Sequence, residues 1–290
     1  ILIYLFLSIL ASSLLYVIFK LFDVYKVNTV QAIVMNYIVA GSCGLIGYSG
    51  KVSISKIPEY DWFYGAIGLG VLFIIVFNLM AVTTQKSGLS VVSVASKMSV
   101  IAPIIFGILY YNEGTSVLKI LGILLALSAV YFSSIKSKDG ISIKAKNLVF
   151  PVLVFLGSGI IDTSIKFLEN EYVAQDDVPL FSSVLFFMAF ITGLFVLGFQ
   201  ALKGTLKITF KNIIAGVALG VPNYFSIYFL IQALRGNGLE SSTVFTINNV
   251  AIVMFSTILG IVIFKEKLIP KNWLGVALAI ISIILVASTI

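Results

Sequence analysis

Apolar runs long enough to cross a bilayer recur about ten times along this chain. They fall near 2–21, 29–49, 61–84, 88–111, 116–134, 147–168, 179–201, 211–233, 238–264 and 271–289. Spanning takes about 20 apolar residues in a helix. Strands of a membrane barrel would alternate polar and apolar positions, and these runs do not. The pattern predicts an all-α polytopic membrane protein with about ten transmembrane helices.

Polar positions inside the runs carry the next level of information. The stretch Gly88 to Glu113, GLSVVSVASKMSVIAPIIFGILYYNE, has an echo in Gly238 to Glu266, GLESSTVFTINNVAIVMFSTILGIVIFKE. Ser93, Ser96 and Ser99 fall against Thr243, Thr246 and Asn249. Elsewhere Lys20 matches Lys166, Ser12 matches Ser158, Gly70 matches Gly220, and Asn78 matches Tyr228. Gly122 and Ala126 match Gly275 and Ala279, pairs of small residues that allow close helix approach. The common order of these matches predicts a duplication: residues 1–135 as one five-helix repeat, 136–146 as a basic connecting loop, and 147–290 as the second repeat. Because five is odd, the second copy enters the membrane inverted, a plan many secondary transporters share.

Two sets of five helices, with polar fourth and ninth spans that close on Glu, resemble the drug/metabolite transporter superfamily, and its EamA-like ten-helix branch in particular. The residues carrying the resemblance are SVIAPIIFGILYYNE followed by LGILLALSAVYF, and ILGIVIFKE followed by LGVALAIISIIL. The resemblance covers nearly the whole chain. It implies transport of small metabolites through a cavity between the repeats, in a family of exporters, importers, proton-coupled carriers and exchangers.

Composition sharpens this picture. The 290 residues are 60% hydrophobic and only 11% charged, with mean hydropathy +1.11. Soluble domains run nearer a quarter charged, so lipid must solvate most of the surface. The net charge of +7 does not point to nucleic acid, since the lysines sit in short connections between spans. Thirteen of them, from Lys20 to Lys271, collect on one side, against Lys51, Lys56, Lys119 and Arg235 on the other. Charge bias makes the first side cytoplasmic and both termini external, whereas the resemblance implies internal termini. Orientation stays open on these grounds. The first run has no cleavage-like boundary, so a removed signal peptide is not expected.

Histidine is absent and Cys43 is the one cysteine, which excludes internal disulfides and a His/Cys metal site. No cofactor is expected. The chain has no Walker-type GxxxxGK[ST], HExxH or GxSxG sequence, so neither ATP-driven pumping nor enzymatic hydrolysis is expected. The expected partners are a small-molecule substrate and the lipid bilayer of a bacterial inner (plasma) membrane, with the protein a monomer or a homodimer.

Among candidate site residues Lys97 stands out. A mid-span charge costs roughly 2.5–3.5 kcal/mol on insertion scales, so it normally faces a bundle interior or water. It can hold an anionic group of a substrate, or it can be half of a buried ion pair. Ser93 and Ser96 share the span, and Thr246 and Asn249 lie on the ninth. Asp162 is a candidate partner for Lys97 or a proton-coupling group, and equally an i,i+4 companion of Lys166. Asn78 and Gln232 are amides within or near the ends of spans, and Asn36 is of the same kind. Tyr224 and Tyr228, one turn apart after Pro222, can stack on a flat substrate or pack in the core. The favoured site lies between the third, fourth, eighth and ninth spans. Glu113 and Glu266 read as polar anchors at helix ends.

Overall fold

A computed structural model of the protein describes residues 2–48, 50, 54–110, 116–134, 146–174, 177–235 and 241–288. In chain order the helices are α1 (Leu2–Val24), α2 (Thr29–Ile46), α3 (Phe63–Ser87), α4 (Leu89–Met98), α5 (Ile101–Tyr110), α6 (Val117–Ser134), α7 (Lys146–Tyr172), α8 (Val178–Leu202), α9 (Phe210–Arg235), α10 (Ser241–Phe264) and α11 (Pro270–Ala287). A short 3₁₀ turn, Ile54–Glu59, precedes α3. Among the described residues, eight segments are long and apolar enough to cross a membrane, with α4 and α5 together forming one of them. The shorter apolar α6 and α11 fill the expected fifth and tenth positions. The chain is an all-α polytopic membrane protein.

Two large clusters and a small one at Leu5 and Ala233 make the core. Aromatic rings dominate the first: Tyr37 of α2 packs against Phe73 and Phe77 of α3 and Phe186 of α8, and donates its hydroxyl to the Phe73 carbonyl at 2.8 Å. The second joins α4, α5, α6, α10 and α11 through small and branched side chains such as Ala126, Ala129, Val253 and Ala279. Here α6 and α11 approach closely. A Cβ on Gly275 would strike the Ser133 backbone, and the Ser282 hydroxyl donates to the Gly122 carbonyl at 2.6 Å. The small residues read from the sequence as scaffold occupy this contact.

Counting α4 and α5 as one span, the packing has a regularity. The second span packs on the eighth as the seventh does on the third; the first packs on the eighth and ninth as the sixth does on the third and fourth. Gly70 and Gly220 sit at two of these equivalent contacts. A Cβ on Gly70 would come within 2.7 Å of the backbone of α8, and one on Gly220 within 2.7 Å of the Asn36 carbonyl of α2. Bringing helices to backbone contact requires a residue without a side chain at both points. The regularity lapses in one place: α1 also packs on α3 and α4, while among the described residues α7 makes no comparable contact with α9 or α10.

At the lysine-rich end the two halves are tied by hydrogen bonds. Asn212 donates to Gln31 at 2.6 Å and accepts from the Asn28 backbone at 3.0 Å. Lys20 donates to the Gln85 carbonyl at 3.2 Å, placing a cation at the negative end of α3. The connection from α3 to α4 is Gly88 alone, with φ +104°, a left-handed conformation that glycine adopts without penalty. A side chain there would also meet the Glu266 carboxylate, whose two oxygens accept from the Leu89 N–H at 3.0 and 3.1 Å. Glu266, just past α10, therefore caps the N-terminus of α4 in the other half of the chain. Negative charge is favoured there by the helix dipole, and a charge-assisted bond is stronger than a neutral one.

This cap generates a prediction. Glu266→Ala should lower the thermal midpoint of the detergent-solubilised protein by an amount equivalent to about 1–2 kcal/mol, with Glu266→Gln intermediate and the neighbouring Lys267→Ala near neutral. Equal midpoints for all three variants would show that the cap contributes nothing.

Candidate functional site

The fourth span is interrupted at Ser99 and Val100, between α4 and α5. Pro103 supplies the cause. It has no N–H to offer the Ser99 carbonyl four residues earlier, and that carbonyl instead accepts from Ala102 at 2.9 Å in a tighter turn. Gly159 of α7 lets a neighbouring backbone approach the break, since a Cβ at that position would lie 2.7 Å from Ala102 Cβ.

Lys97 and Asp162 meet at this break. The Ser99 hydroxyl is 2.5 Å from the Ser96 carbonyl and 2.9 Å from Asp162 Oδ2, and its single proton serves one of these acceptors at a time. Lys97 and Asp162 lie within range of mutual electrostatic attraction. Among the described residues, however, the one ion pair is the exposed Lys26–Asp23, and Lys97 has neither an ion pair nor a hydrogen bond. Both side chains remain accessible, Lys97 partly and Asp162 more so, although the residues around Asp162, including Ser99, are deep in the bundle. Tyr16 of α1, only 2% exposed, reaches the Ser96 side chain and adds its hydroxyl dipole to the surroundings of Asp162.

The other candidates are distributed less tightly. Ser93 is fully buried and donates to its own helix at Ser90. Asn78 donates to the Ile74 carbonyl at 2.8 Å, again within its own helix. Tyr224 and Tyr228 stack on each other, with centroids 5.9 Å apart and planes 22° apart, and the Tyr224 hydroxyl closes on Gly47 of α2. Gln232 is partly exposed. Asn249 is 9% exposed, while the adjacent Asn248 keeps its Oδ1 buried without a hydrogen-bond partner. The side chains of Thr246 and Lys166, and all of Glu113, lie outside the described residues. Asn36 accepts from Asn223 of α9 at 3.1 Å, both fully or nearly fully buried, which makes this pair a tie between helices. Among the described residues no group of His, Cys, Asp and Glu could hold a metal.

Tyr16 and the donor role of Ser99 were not legible in the sequence. The signal for Tyr16 was Ser12 one turn earlier on the same face of the first span.

Comparison with known proteins adds the family. Residues 148–288 match the EamA-like transporter family. That match spans the second half of the chain. The full chain is 27% identical over 281 residues to an uncharacterized protein of Haemophilus influenzae, covering 95% of this chain and 94% of that one. A crystal structure at 15% identity shares the fold, with a TM-score of 0.58 over 98% of this chain and 94% of the other. The EamA-like domain begins with α7, the helix that bears Asp162. Lys97, Ser99 and Tyr16 all precede it.

The Asn36–Asn223 tie can be separated from ligand binding. Asn223→Ala should lower the thermal midpoint by leaving Asn36 unpaired, and a double-mutant cycle with Asn36→Ala should give a coupling of about 0.6–1.7 kcal/mol. Zero coupling would mean the pair does not stabilise the bundle.

Proposed function

We propose that the protein is a secondary carrier that moves a small polar metabolite by alternating access, with amino acids or related carboxylates as the favoured class. It works as two inverted five-helix repeats in a bacterial inner membrane. The carrying observation is a lysine and a carboxylate beside a broken mid-membrane helix, near each other yet not paired. Unpaired charge in lipid is too costly to keep without a use. Lys97 holds an anionic group of the substrate, and the Ser96 hydroxyl and the Asn249 amide supply hydrogen bonds. Asp162 either balances Lys97 between substrate loads or takes up the coupling proton. The equivalent packing of the two halves and the matched Gly70 and Gly220 support the repeat reading.

The decisive experiment is counterflow in proteoliposomes. A mixture of labelled amino acids and carboxylates should show saturable uptake accelerated by internal substrate. Lys97→Ala should reduce that flux at least about tenfold, the loss of one charge-assisted contact. Flux that rises linearly with concentration, without trans-acceleration, would point to a passive channel instead. Coupling is read separately: Asp162→Asn should abolish uphill uptake driven by a pH gradient while leaving counterflow, and retention of the uphill component would remove Asp162 from coupling.

A further inference from the structure

Three of the seams between the halves at the lysine-rich end are closed in two different ways. Backbone closes two of them. A Cβ on Gly216 of α9 would lie 2.7 Å from the Ala32 carbonyl of α2, and Asn212 donates across this seam to Gln31. Gly275 of α11 meets the Ser133 backbone of α6 in the same way, and Asn272 donates to the Ser133 carbonyl at 2.9 Å. The third seam lies between the start of α4 and the end of α10, and side chains close it. Around a Cβ on Gly260 of α10 would stand the Glu266 carboxylate and Leu89 Cβ, the latter at 3.4 Å. Glu266 spans this seam to the Leu89 N–H at 3.0 and 3.1 Å.

Behind this closure α4 is fully enclosed. Leu89 to Ala95 are all buried, although α4 starts at the lysine-rich end, and exposure returns at Ser96 and Lys97. The buried turns thus stand between that end and the candidate site. One of their groups is ill suited to the closed arrangement. Ser90, the residue after Leu89, is 1% exposed, and its hydroxyl has no hydrogen-bond partner among the described residues. A buried hydroxyl left unbonded has lost its hydration without replacement. Water entering the seam would restore it. The polar hold on this seam is therefore one carboxylate on one backbone N–H, beside an enclosed group that favours opening.

We propose that Glu266 is a latch: its hold on Leu89 keeps the lysine-rich end shut, and its release lets the start of α4 and the end of α10 part so that the candidate site opens to that side. The proposal rests on the carrier reading, which requires an opening at each end in turn. The structure is then the state closed at the lysine-rich end. The two seams in backbone contact have no comparable part that can let go.

Two measurements on the full-length protein test the latch, both with Cys43 replaced by Ser. Leu89→Cys with Gly260→Cys places two Cβ atoms 3.4 Å apart, close to the separation in a disulfide. Oxidation should lock the seam and abolish counterflow in proteoliposomes, and dithiothreitol should restore it. Undiminished counterflow with the disulfide formed overturns the latch. The second measurement needs no substrate: it is the rate at which an aqueous maleimide labels Ser90→Cys in nanodiscs. Labelling should be slow with Glu266 in place and at least about tenfold faster with Glu266→Ala, since losing one charge-assisted hydrogen bond raises the open population by about that factor. Glu266→Gln, which keeps an acceptor, should fall between. Met98→Cys, fully buried at the far end of α4, should stay slow throughout and reports general loosening. Equal labelling of Ser90→Cys with and without Glu266, or Met98→Cys accelerating in step, overturns the latch and leaves the carrier standing if counterflow persists. A wild type without counterflow would instead remove the carrier reading.

Discussion

Inside a bilayer a backbone carbonyl has no water to turn to, and Pro103 removes the donor that Ser99 would ordinarily have had. Much of the interior follows from this constraint. The break cannot face lipid, because unsatisfied backbone groups there cost several kcal/mol, so it must be buried against another helix. Gly159 lets α7 come close enough to do this. The same approach carries Asp162, three residues further on, to the Ser99 hydroxyl. The Ser99 hydroxyl thus serves the Ser96 carbonyl or the Asp162 carboxylate where the membrane supplies nothing. Lys97 sits on the last turn of α4, beside the group that moderates its charge.

The other end of α4 is fixed from the opposite half of the chain. Glu266 ends a span that begins some 150 residues after α4, yet its carboxylate closes the first N–H of that helix. Gly88 and Gly260 both leave room for it, since a Cβ at either would press on the carboxylate. Short α4 is therefore a rigid rod held at its start by the second half and at its finish by α7. Such an element moves with its neighbours and not independently of them. The two halves are joined at this point.

How much of this was readable beforehand depends on the range of the interaction. The spans were legible because each rests on local composition and length. So were the small residues of α6 and α11, whose spacing alone implies close packing, and the matched Gly70 and Gly220. The bend near Pro103 was legible because proline acts on its own helix. What was not legible is what reaches across the fold. Glu266 reads as a helix-end anchor from sequence, and it is one, but the helix it anchors is not its own. Tyr16 is one aromatic residue among many in a chain that is 13% aromatic. Asn78 donates within its own helix and Tyr224 and Tyr228 stack on each other, contacts that residue type alone does not reveal. Residue type cannot distinguish a free polar group from a satisfied one.

That distinction is also what separates Lys97 and Asp162 from the rest of the polar interior. Nearly every other buried amide or hydroxyl has settled into a bond with its own helix or a neighbour, and such bonds stabilise the bundle without leaving anything for a ligand. A direct Lys97–Asp162 ion pair would do the same: the desolvation cost would be offset internally, and a substrate would have to break the pair before binding. Holding the carboxylate on Ser99 keeps the two charges within attraction but out of contact. The membrane interior magnifies their separate fields, and a ligand that bridges them recovers energy that the empty protein leaves unrealised. The position that falls against Lys97 in the ninth span is Ile247, so this charge stands in one half of the chain only.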